Sequence, residues 1–81
     1  MEKEARILEQ LTPMFRDVFL RDDLVLTSAT SAADVPGWDS IKQIEIIVAV
    51  EEKYGVRIRA REVDALRNVG DLVSLIAGKT A

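Results

Sequence analysis

The chain has 81 residues, 48% hydrophobic and 31% charged, which is the composition of one folded domain with a modest core rather than of a disordered segment. It has no Cys and no His, so a disulfide framework, thiolate metal sites and both Ser–His and Cys–His nucleophilic machinery are excluded. The formal net charge of -3 argues against a nucleic-acid partner, no apolar run reaches membrane-spanning length, and the opening MEKEARILEQ is too charged for a signal peptide, so a single cytoplasmic domain over 1–81 is expected.

In chain order, Ile7, Leu8, Leu11, Met14, Phe15, Val18 and Phe19 recur at helical spacing and predict a first helix. Pro13 removes one backbone hydrogen bond from it and bends it. Thr12-Pro13 also reads as a cap and first residue of a restarted helix. The apolar phase continues across Pro13, so one bent helix is expected. Residues 20–38, LRDDLVLTSATSAADVPGW, form a long connection of mostly short polar residues. Connections of this length are uncommon in compact domains and are often functional. Leu24, Leu26 and Val35 are its expected anchors, and Pro36-Gly37 is a turn into the next helix.

A second helix is expected over 40–54, with Gly55 as its stop. A short third helix is expected within RAREVDALR, with Val63 and Leu66 facing inward. GVRIRA alternates like a strand but has no strand to pair with, so it is read as loop. The last helix starts from Asn68 as cap, with Asp71 near the positive end of the dipole. Its buried stripe is Val69, Leu72, Val73 and Ile76, and Gly78 ends it. The sum is an all-α fold: a small bundle of three longer helices plus one short helix, with a long loop after the first helix.

The second helix carries apolar residues on two arcs when projected at roughly 100° per residue. Ile46, Ile47, Val50 and Tyr54 form one arc, enough to bury the helix in a bundle. Ile41, Ile44 and Val48 form another, flanked by Glu45 and Glu52 on one side and Glu51 on the other. An apolar centre with a carboxylate rim reads as a docking surface. The alternative is a central helix covered on both sides by the rest of the fold. Where this helix begins, Asp39 and Ser40 are both good caps, and Ser40 with Gln43 spells a capping box. A helix start also favours phosphate, through the dipole and its free N–H groups. Without a base in the chain, covalent chemistry at Ser40 has to be supplied by another enzyme.

GWDSI (37–41), followed by EIIVAVEEKYGVRI (45–58) and NVGDLVSLI (68–76), resembles the acyl carrier protein family. Ile41 stands where Leu is usual. The resemblance implies that Ser40 is the attachment site of a 4'-phosphopantetheine arm installed from coenzyme A by a phosphopantetheinyl transferase. It implies that Asp39 caps the helix and helps position the transferase, and that Ile41, Ile44, Glu45, Val48, Glu51 and Glu52 dock partner enzymes. It further implies a carrier, not an enzyme, and a monomer is the simple expectation for the chain. Its cargo, a fatty acyl, polyketide or aminoacyl group, is held as a thioester for acyl- or aminoacyl-activating and transferring enzymes.

The chain departs from the pattern at several places. Lys42 follows the motif where many fatty-acid carriers place an acid. Arg57, Arg59 and Arg61 make the approach to the third helix basic, and Pro13 is unusual. These point to a stand-alone carrier with dedicated partners. Trp38 either packs against the long loop or shields the arm. Two other readings compete: a helical interaction module in which Ser40 is only a cap, and a DNA-binding domain using the three arginines, which runs against the acidic balance.

Overall fold

The computed structural model describes residues 2–80. Four helices follow in order: α1 (Glu2–Phe19), α2 (Ser40–Tyr54), α3 (Ala60–Asp64) and α4 (Val69–Lys79), with a 3₁₀ turn at Ala32–Asp34. Among the described residues there is no strand. α1 packs against both α2 and α4. Ile7, Leu11 and Phe15 of α1 bury against Ile46, Ile47 and Val50 of α2 and Val69, Leu72, Val73 and Ile76 of α4. Each set repeats at three- and four-residue spacing, so each helix turns one stripe inward.

α1 is a single helix with Pro13 inside it. Pro13 is exposed, so the carbonyl it leaves without an N–H partner can be hydrated. The Thr12 hydroxyl, one residue before Pro13, donates to the Leu8 carbonyl at 3.0 Å. The helix ends through Leu20, whose φ of 54° is left-handed. Arg21 N–H reaches back to the Arg16 carbonyl at 3.0 Å and closes the helix end.

Leu26 and Val35 of the long loop are buried and Leu24 is half-buried, while Val25 between them is exposed. Arg16 Nε donates to the Leu24 carbonyl at 2.8 Å and fixes the loop's first half to α1. Its second half is fixed to α4. The first two N–H groups of α4 donate to loop carbonyls, Val69 to Thr30 at 2.7 Å and Gly70 to Ser28 at 2.8 Å. They would otherwise lack partners within the helix. A Cβ at Gly70 would sit 2.7 Å from the Ser28 carbonyl oxygen, so this close approach requires glycine. The sequence pattern did not reveal the 3₁₀ turn; the Asp34 carboxylate holds it by accepting the Ser31 N–H at 3.0 Å.

Residues 56–59 are loop, with Ile58 buried. α3 starts with the Glu62 carboxylate accepting the Arg59 N–H at 2.9 Å, and Lys79 Nζ lies 3.1 Å from the same side chain. These contacts, the backbone N–H first, hold the Glu62 carboxyl below its usual range and tie α3 to α4. Val63 and Leu66 are half-buried against the core. Asn68 caps α4, accepting the Asp71 N–H at 2.8 Å. Gly78 does not end this helix, contrary to expectation. It lies in the last turn, and the helix closes one residue beyond Lys79, where the Thr80 N–H and hydroxyl both donate to the Ile76 carbonyl, at 3.0 and 2.8 Å.

Candidate functional site

The start of α2 is set by a tight turn. Trp38 N–H donates to the Val35 carbonyl at 3.2 Å, and Gly37 between them takes a φ of 89° that an L side chain would strain. Trp38 packs on α1. Its ring meets Phe15 edge-on at 5.5 Å and lies 5.9 Å from Phe19. Its indole N–H donates to Gln43 Oε1 at 2.7 Å.

Two corrections follow for the capping chemistry. Asp39, not Ser40, is the N-cap: its Oδ1 accepts the Lys42 N–H at 2.9 Å. Ser40 is the first residue inside the helix, so the reading in which Ser40 only caps the helix fails. The Ser40–Gln43 box does not form either, because Gln43 is held by Trp38. Gln43 falls on the buried arc of α2, and a polar residue there was the signal that it has a buried partner.

Ser40 is exposed, and among the described residues no hydrogen bond engages its hydroxyl. The cap satisfies the N–H of Lys42, while those of Ser40 and Ile41 precede the first intrahelical bond, which runs from Gln43 to the Asp39 carbonyl at 2.9 Å. Beside Ser40 a cleft of about 320 Å³ opens between α2 and the start of α4, with walls from Trp38, Gln43, Ile46, Leu66 and Leu72.

Down the helix the two arcs part. Ile46, Ile47 and Val50 retain 1%, 8% and 0% of their exposure, whereas Ile41, Ile44 and Val48 keep 65%, 63% and 46%. The fold leaves the second arc uncovered. The acids around it differ from one another. Glu52 is exposed, and Glu45 lies 3.3 Å from Lys42 Nζ. Lys42 Nζ also donates to the Val18 carbonyl at 3.2 Å, at the negative end of α1. Glu51 is half-buried and turned to the following loop, where it accepts the Ile58 N–H at 2.8 Å.

Residues 9–76 match the sequence profile of the family described as "Phosphopantetheine attachment site". The chain belongs to the acyl carrier protein family. Members of this family are carriers rather than catalysts, and the prosthetic group implied for this chain is a covalently bound phosphopantetheine. The chain is 31% identical to the acyl carrier protein of Thermosynechococcus vestitus, over 96% of both proteins. It is 52% identical to the acyl carrier protein of Acidothermus cellulolyticus over 42 residues, which are 52% of this chain and about half (50%) of that relative's length. The fold matches the solution structure of a holo acyl carrier protein from Geobacter metallireducens with a TM-score of 0.84 and 44% identity, over 89% of this chain and 83% of that one.

The start of α2 fits such a group. A phosphodiester on Ser40 Oγ would disrupt no hydrogen bond of that hydroxyl, and the open Ser40 and Ile41 N–H groups can meet its oxygens. No helix among the described residues is long and apolar enough to cross a membrane.

Proposed function

We propose that the chain is a single carrier domain that receives 4'-phosphopantetheine on Ser40 and presents an acyl cargo to partner enzymes in the cytoplasm. The observation that carries this reading is the exposed, unengaged Ser40 hydroxyl at the first helical position, with the cap function held by Asp39 instead. When bound, the group supplies a terminal thiol that holds the cargo as a thioester.

The chain's own residues do the rest. Asp39 fixes where the helix starts and therefore where Ser40 Oγ stands. Loading replaces the hydroxyl proton with phosphorus: the Oγ–P bond forms, a P–O bond of the coenzyme A pyrophosphate breaks, and the nucleotide half leaves. The transferase supplies the base, because this chain has no His and no Cys. The cleft beside Ser40 leaves room for a chain to lie against Ile46, Leu66 and Leu72. Ile41, Ile44 and Val48 give partners an apolar contact, and Glu45 and Glu52 give basic partner surfaces a charge to meet.

The test is mass spectrometry after incubation with coenzyme A and a phosphopantetheinyl transferase. The wild-type chain gains one phosphopantetheine, and Ser40→Ala gains none while keeping its fold. An unchanged wild-type mass with several broad-range transferases overturns the reading.

A further inference from the structure

The cleft beside Ser40 carries two side-chain amides on its wall, Gln43 and Asn68, set among Trp38, Leu66 and Leu72. The Gln43 amide has only one way to face Trp38. An indole N–H donates and never accepts, so the atom 2.7 Å from it is the amide oxygen. The Gln43 NH2 group is thereby turned elsewhere. Among the described residues it has no hydrogen-bond partner, and no fully buried side-chain nitrogen or oxygen lacks one, so this NH2 stays reachable from outside. Trp38 is itself held against Phe15 and Phe19, which fixes the amide in this orientation.

Asn68 is left in the same state. Its oxygen takes the Asp71 N–H at 2.8 Å, and among the described residues its NH2 has no partner. The space is limited. Ile46, Val69 and Leu72, which line the cleft, are buried core residues and close its floor. Its volume of about 320 Å³ lies at the small end of the roughly 300–1,000 Å³ of ligand pockets. A guest has to be short, and it meets two amide donors. A saturated acyl group brings a single oxygen, at its thioester. Seated here, it would cover a donor with carbon and leave it with neither water nor a partner.

We propose that the cleft selects a short acyl cargo bearing an oxo or hydroxyl oxygen on its carbon chain. The Gln43 NH2 donates to that oxygen, and Trp38 is the positioning residue that keeps the amide turned for it. The inference rests on the proposed attachment of the arm to Ser40.

The test compares two four-carbon cargoes, 3-hydroxybutyryl and butyryl, each transferred with the arm from its acyl-coenzyme A by a broad-range transferase. Hydroxylamine cleavage of each thioester is measured relative to the same acyl-coenzyme A free in solution. Bound 3-hydroxybutyryl is protected about tenfold, while butyryl reacts close to its free rate. Gln43→Leu removes the protection, and Trp38→Phe, which frees the amide to turn, weakens it. Circular dichroism checks that each variant is folded. In proton–nitrogen correlation spectra the Gln43 NH2 resonances move with 3-hydroxybutyryl and stay in place with butyryl. Equal protection of the two cargoes, or protection that survives Gln43→Leu, overturns the selection while leaving Ser40 as the modified residue. If the unloaded arm alone moves the Gln43 resonances as far, the arm is the acceptor and the selection fails too. A wild-type chain that no transferase modifies instead overturns the carrier reading, and this inference with it.

Discussion

The two faces of α2 are built from the same side chains and meet opposite fates. Ile46 and Ile47 are sealed against α1 and α4, whereas Ile41 and Ile44, on the same helix, keep about two-thirds of their surface, at 65% and 63%. A helix needs one stripe to join a bundle. The inner stripe is therefore explained by folding and the outer stripe is not. Exposed isoleucines at helical spacing, with acids beside them, are accounted for by what touches the protein from outside.

That contrast can be broken by matched truncations. Ile46→Ala removes fully buried methyl groups and should cost about 2–5 kcal/mol in chemical denaturation. Ile44→Ala should stay within about 0.5 kcal/mol of wild type, yet lower the efficiency of Ser40 modification by about tenfold. Equal destabilisation by the two would erase the distinction between the faces.

The start of the helix sharpens it. Asp39→Ala leaves the Lys42 N–H without its acceptor and should cost about 1 kcal/mol. Ser40→Ala should shift stability by no more than about 0.5 kcal/mol, because the hydroxyl holds nothing in the fold. Thermal melts of the two variants decide which residue is the cap, and the reverse order would return that role to Ser40.

The smallest effect concerns acid. Asp71 is held below the usual carboxylate range, first by the Arg67 backbone N–H and then by the Arg67 side chain. A depressed carboxyl stabilises the fold above its unfolded-state value, and that contribution is lost as pH falls through the lower folded value. Melting temperatures followed from neutral pH into that acidic window should fall less steeply for Asp71→Asn than for wild type. A parallel decline in both would remove Asp71 from the acid response.

Most of the architecture was legible because it is local. Helical spacing gave α1 across Pro13, and an Asx cap with Asp71 gave the start of α4. Gly55, left-handed at a φ of 64°, gave the end of α2. What escaped depends on contacts between distant segments. S-x-x-Q is a sound capping pattern, but Asp39 stood one residue earlier and Trp38 claimed Gln43. Glu51 counts as one more surface acid in a helical projection, and only the folded chain shows it turned toward the Ile58 N–H. Gly78 failed as a stop because Thr80, two residues on, closes the helix with its own hydroxyl.

The paired backbone bonds from Val69 and Gly70 to the long loop carry one more consequence. Those two amide protons can trade with deuterium only while the Thr30 and Ser28 carbonyls have let go. Their exchange rates therefore act as a built-in clock for detachment of the segment that leads into Ser40.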